Sequence, residues 1–332
     1  MNAGGRDARE ASQLAAELAD LLSAIGDSTL TVALCYAPLI TKYFVGESGE
    51  VLRFAQRVID LAEGDATKGA LVGGSPLAMA IAMRGMARCC LGQRGWKEDL
   101  HEARAMADRV GELTGRVGIR YYSALEPIVN GVLASDTAAL CDAAETLAIT
   151  EQLGDDYLLL VARITRAVTL IHHQGADREA GVQLLLDLRE AALKQSSNQG
   201  FVPLYDLHIA KEHARLGDID GAVEMCRAAI DVLIAIGAII WIAPATAVLV
   251  EALLRRGADS DLREARLATD RLAALPTEPG FVLHDIWLLR LHALLAQAQG
   301  DDGAYRDYRD RYRATATSLG FEGHMQWAEA MP

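Results

Sequence analysis

Aromatic side chains are scarce in this chain, at 5% of residues against 51% hydrophobic residues in all. A β-sandwich or barrel draws on aromatic and β-branched residues in period-two alternation, and that pattern is missing here. Prolines number only eight in 332 residues. Positive charge is also short: 32 Lys and Arg face 45 Asp and Glu, for a net charge of −13. Nucleic-acid recognition needs cations clustered along the phosphate backbone, so direct binding to nucleic acid is not expected. The five cysteines (Cys35, Cys89, Cys90, Cys141 and Cys226) are odd in number and lack framework spacing. They lie in apolar helical runs and read as buried, reduced thiols of a cytoplasmic protein. Residues 1–7 contain no apolar signal core. The longest apolar run, Val232 to Val250, contains Gly237 and Pro244, so it reads as the end of one buried helix and the start of the next rather than a membrane span.

What the chain has is Ala and Leu at helical spacing. Ala packs helices closely at no side-chain entropy cost. Leu14, Leu18, Leu21, Leu22 and Ile25 share one face of an opening helix over Ala8–Ile25, which Gly26 stops and Asp27 or Ser28 follows as a cap. The next helix is expected to run to about Phe44 with a kink at Pro38. Residues 65–76 form a long Gly-rich connection, and Pro76 opens a helix at its first position. Residues 115–118 read as a turn, and Ile119–Ala134 as the helix after it. From there helical pairs follow one another to Leu319, with residues 321–332 as a C-terminal cap.

A turn residue recurs through this series near Gly49, Gly92, Ser135, Gly175, Gly217, Gly257 and Gly300, at intervals of 40–43 residues. One hairpin per period defines an all-α α-solenoid of about seven helical hairpins, read as a single domain over residues 1–332. The stretch from Ala214 to Ile230 shows the unit. Gly217 is the turn, Asp218 the cap, and Ala222, Cys226, Ala229 and Ile230 form the apolar stripe. Ala five residues after the turn glycine (Gly217 and Ala222; Gly175 and Ala180) favours tetratricopeptide-like repeats with longer helices over HEAT repeats.

Three stretches carry a resemblance to a known family: residues 60–69 with 74–80, Leu91-Gly92 with residues 95–100, and residues 319–331. Together they resemble the C-terminal tetratricopeptide-like region of large bacterial regulators. Those regulators carry an adenylate/guanylate cyclase-like domain or a LuxR-type DNA-binding domain beside a STAND-type ATPase. The resemblance implies a sensor arm that receives a ligand or partner and acts on the ATPase. The cyclase aspartates, the P-loop and the helix-turn-helix of such regulators are not found in these 332 residues. The resemblance therefore implies a non-catalytic module for signal transduction or transcriptional regulation. Its partner would be a separate protein or the ATPase and cyclase-like domains of a longer chain.

A solenoid usually binds on its concave face, lined by the first helix of each hairpin. Alignment on the turn glycines places Thr165, Thr169, His172, Lys211, Arg215, Glu251, Arg255, Trp287 and Arg290 there. Basic residues on that face of an acidic protein suit a small anionic ligand or an acidic peptide. No metal site or cofactor is expected. His172 and His173 are adjacent and project about 100° apart on a helix, and His208 with Glu212 has no third ligand and reads as salt-bridged surface. The loop Lys68–Pro76 lacks the order of a phosphate-binding loop. Tyr305, Tyr308 and Tyr312, interleaved with Arg and Asp, read as a solvated, ion-paired helix. Two other classes stay open: an enzyme on an α/α scaffold using cavity carboxylates, and a self-associating scaffold.

Overall fold

A computed structural model describes residues 8–332 except Val72, Gly73, Gln174, Ala176 and Ser196. The readings of residues 1–7 and of Val72 and Gly73 in the Gly-rich connection thus lie outside the described residues. The elements are α1 (Ala8–Ile25), α2 (Ser28–Ala33), α3 (Tyr36–Phe44), α4 (Ser48–Ala62), α5 (Pro76–Cys90), α6 (Trp96–Val110), α7 (Leu113–Arg120), α8 (Glu126–Val129) and α9 (Thr137–Glu151). They continue as α10 (Asp156–His172), α11 (Arg178–Gln195), α12 (Val202–Leu216), α13 (Ile219–Ile236), α14 (Ile239–Arg256), α15 (Asp261–Ala273), α16 (Val282–Ala298), α17 (Asp302–Leu319) and α18 (Glu322–Glu329). The fold is an all-α solenoid of helical hairpins. None of the described helices is long and apolar enough to cross a membrane.

The hairpins separate into an inner and an outer layer. Inner α5 buries 13 of its 15 residues, whereas its outer partner α6 buries six of 15. Inner α14 buries 12 of 18 residues, and outer α17 only three of 18. Helices as buried as α5 and α14 are largely apolar because neighbours cover most of their surface. Each fully buried Leu, Ile or Met there contributes about 1.5–3 kcal/mol relative to exposure.

The repeat is set by caps more than by glycines. Asp136, Asp177, Asp218 and Asp301 each accept a backbone N–H three residues on, at 2.8–3.1 Å. Asp136, Asp177 and Asp218 stand 41 residues apart. Such a cap stabilises its helix by about 1 kcal/mol. Four residues after the cap a side chain or Cα packs inward: Ala222 after Asp218, and Gly181 after Asp177. Alignment on Gly175 therefore chose the wrong residue. Ala180 is exposed, and a Cβ on Gly181 would lie 2.9 Å from the Ala167 carbonyl.

Several boundaries differ from the expected ones, each for a local reason. The chain breaks at Leu34 and Cys35, and Pro38 falls in the first turn of α3, where a missing N–H leaves no bond unmade. The first hairpin turns at Gly46, at φ 78°, while Gly49 lies inside α4. Residues 115–118 belong to α7, which continues through a π-helical turn over Tyr121–Leu125 into α8. The run Val232 to Val250 does hold the end of one helix and the start of the next, as expected: Gly237 ends α13, and Pro244 lies inside α14. Cys141 is exposed, unlike the other four cysteines.

The solenoid closes on itself. α14 packs against α3 and α16 against α5, and the Gly49 N–H donates to the Glu278 carboxylate at 2.9 Å. At the seam lies Glu126, fully buried, accepting from the Trp241 indole N–H at 3.2 Å and the Tyr43 hydroxyl at 3.3 Å. Burial pushes its carboxyl up to about 7 against those donors and Tyr121. The last helix, α18, seats across the inner side. The Glu322 and His324 N–H groups donate to the Val132 and Gly131 carbonyls, both at 2.9 Å. Gly131 has φ 68°, and a Cβ there would lie 2.5 Å from the Trp327 ring.

Two expectations follow. Because the folded-state carboxyl of Glu126 is raised above 4.5, its contribution to stability is complete below that pH and lost as pH rises through about 7. Glu126→Gln should thus gain about 2–3 kcal/mol on the wild type between pH 5 and 8 in urea unfolding; a constant difference would show that Glu126 is ionised in the fold. Gly131→Ala should undock α18 while the solenoid stays helical, so that limited proteolysis removes the C-terminal helix first; equal protease resistance in the two proteins would refute the close contact.

Candidate functional site

The inner helices bring pairs of residues three positions apart to one place. α12 supplies His208 and Lys211, α16 supplies Trp287 and Arg290, and α18 supplies His324 and Trp327. Residues at that spacing share a helix face. The Trp287 and Trp327 rings lie 5.2 Å apart, and His324 packs edge-on against both at 4.7 and 5.0 Å. Two cations meet the same indole: the Arg290 guanidinium lies 5.3 Å from the Trp327 ring centre and the Lys211 ammonium 5.8 Å from it. Such contacts stabilise by about 0.5–2 kcal/mol, more as water is excluded. His172, at the end of α10, completes the wall with its Nε2 3.3 Å from His208 Nδ1.

The charges here do not cancel. Arg290 pairs with Glu251, and Glu212, almost fully buried, takes Arg178 at 2.9 Å and Arg215 at 2.6 Å. Lys211 has no hydrogen bond and no ion pair among the described residues. Four cations thus gather around two carboxylates. Burial lowers the Lys211 ammonium to about 8, with Glu251 opposing and Arg290 and Arg178 adding to the effect. Burial also pushes His208 down to about 3, helped by Lys211, and lowers His172. His324 falls to about 3 through burial and Arg290. Its Nδ1 faces the Tyr312 hydroxyl at 2.9 Å and its Nε2 the Asn130 carbonyl at 3.1 Å, which fixes Nε2 as the protonated nitrogen. Three further buried atoms lack a hydrogen-bond partner among the described residues: His208 Nε2, Trp287 Nε1 and Arg290 Nε.

The structure gathers His172, Lys211, Glu251, Trp287 and Arg290 of the concave-face candidates, and sets the others apart. Thr165 and Thr169 are buried, and their hydroxyls donate to their own helix at the Val161 and Thr165 carbonyls, 2.9 and 2.6 Å away. Arg215 stands at the exposed rim on Glu212. Arg255, also exposed, donates to the Ala214 carbonyl at 2.5 Å. His208 and Glu212 are both buried, not surface; Glu212 is salt-bridged as expected, to Arg178 and Arg215. Tyr312 is core, and Arg309 and Arg313 hold the last carbonyls of the chain, so the α17 stripe is more than a solvated face. His208, His324 and Trp327 are the missed members. The 208/211, 287/290 and 324/327 spacing was present in the sequence as the signal.

Among the described residues no group of three or more His, Cys, Asp or Glu could hold a metal ion. What remains is an ammonium, a guanidinium edge, an indole N–H and a neutral imidazole, all suited to donate to an anion. No family model and no curated protein matches this chain.

The three histidines set an acid limit. Each is held below its ordinary 6.5, so its contribution to stability is present above that pH and lost as pH falls toward the folded-state value. The loss is about 1.4 kcal/mol per pH unit for each histidine. His208→Gln should reduce the slope of unfolding free energy against pH, between 6.5 and 5, by about one proton. An unchanged slope would mean that His208 is not buried in neutral form.

Proposed function

We propose that this chain is a non-catalytic sensor and interaction module that receives a ligand or partner on its inner, concave face. The observation that carries the reading is the unbalanced positive cluster around Lys211 and Arg290, enclosed by aromatic rings inside a protein of net charge −13. Cations held in a partly buried place in excess of their carboxylates are unfavourable, and a binding partner of opposite sign relieves that. The resemblance of three stretches to the C-terminal arm of cyclase-like or LuxR-type STAND ATPase regulators supports a signalling role in the cytoplasm. On that reading the partner is a separate protein or the ATPase and cyclase-like domains of a longer chain. The signal would be a shift between two seatings of α18, biased by a ligand that binds one better. Glu126 is the one fully buried carboxylate with a strongly raised pKa among the described residues, and its donors make it a brace across the seam.

A thermal-shift screen with nucleotides, sugars and acidic peptides tests the reading, because selective binding raises stability by mass action. A compound that raises the melting temperature of the wild type should lose that effect in a Lys211→Ala, Arg215→Ala, Arg255→Ala variant with unchanged helicity. An effect retained in the variant would move binding off the concave face.

A further inference from the structure

We propose that His208, Lys211, Trp287 and Arg290 form a binding site for a compact anion, a small carboxylate or phosphate, with Trp327 as its wall. The inference rests on the sensor reading above and adds the ligand class. The four donor groups come from two inner helices: Lys211 and Arg290 share the Trp327 ring, Arg290 lies 5.9 Å from the Trp287 ring, and His208 stands one turn before Lys211 on α12. His208 and Trp287 are 1% and 4% exposed, yet His208 Nε2 and Trp287 Nε1 lack partners, as does Arg290 Nε. Buried polar groups without partners are uncommon, and several in one cluster signal a missing hydrogen-bonding group. The Lys211 ammonium adds a charge with no ion pair. One group with several acceptor oxygens and negative charge answers all four, through charge-assisted bonds.

The enclosure limits the size. α18 lies across the inner side through its bonds to Gly131 and Val132, and both cations lie against the Trp327 ring it carries. A compact anion suits a place so covered better than an extended acidic peptide does. Glu251, the partner of Arg290, has a side chain 47% exposed and marks the rim. Arg215 and Arg255 stand exposed at the ends of α12 and α14 and would draw anions toward that rim.

Isothermal titration and thermal unfolding of the full chain with inorganic phosphate and, separately, with succinate test the proposal and distinguish phosphate from carboxylate. At least one should bind and raise the melting temperature. Lys211→Met keeps the stem and removes the charge; it should weaken binding about tenfold or more, the scale of a lost charge-assisted bond. Trp287→Phe keeps a ring and removes only the indole N–H, and should weaken binding several-fold. Arg306→Ala, on the exposed face of α17, should leave it unchanged. Failure of both anions to bind the wild type overturns the proposal, as does binding that survives Lys211→Met and Trp287→Phe equally. An acidic peptide that binds and depends on Lys211 while both small anions fail overturns the compact-anion assignment and leaves the concave-face reading standing. Loss of every concave-face effect would remove both.

Discussion

The inner helices of this molecule, α5 above all, are buried on nearly every side, and the architecture follows from that. A hairpin with one helix as apolar as α5 cannot stand at the edge of a stack, because its inner face would meet water. Stacking satisfies each hairpin except the first and the last. Here those two satisfy each other: α16 covers α5, α14 covers α3, and α18 covers the inner side. Polar groups caught at the seam must then find partners indoors. Glu126 does so with Tyr43 and Trp241, from segments 83 and 115 residues away. The depressed histidines and the low-lying Lys211 ammonium are further results of the same burial.

The helical class and the repeat were legible because they rest on local chemistry. Turn glycines, Asp caps and apolar spacing act within a few residues, so Gly217, Asp218 and Ala222 could be read without knowing what they pack against. Register was less secure. Gly175 precedes its cap by two residues and Gly217 by one, so glycine alignment slipped in that hairpin and Ala180 took the place of Gly181. Pro38 misled for a related reason: proline's effect depends on whether its missing N–H had a partner to lose, and position within the turn decides that.

Closure was not legible, and with it much of the site. The contacts that assemble the cluster join residues on α10, α12, α16 and α18, whose sequence separation says nothing about proximity. Lys211, Trp287 and Arg290 could be placed on the inner face from the repeat alone. Trp327 could not, since it belongs to a cap that follows no repeat. His208 was visible one turn before Lys211, but pairing it with Glu212 hid its true neighbour, His172, 36 residues earlier. Thr165 and Thr169 faced inward as expected, yet a threonine in a helix can satisfy its hydroxyl on its own preceding turn, and both do.

The bond between His324 and the Asn130 carbonyl joins residues 194 positions apart. An open repeat array adds or sheds a unit at little expense, since each unit meets only its two neighbours. A ring has no such freedom. Its first and last units must arrive at a fixed distance and angle, so the number of hairpins and the small rotation contributed by each are coupled quantities. Lengthening one helix by a turn, or duplicating one hairpin, would carry α18 past Gly131 and open the seam. Change in this molecule is thus confined to substitution within units, while the count of units is held by geometry.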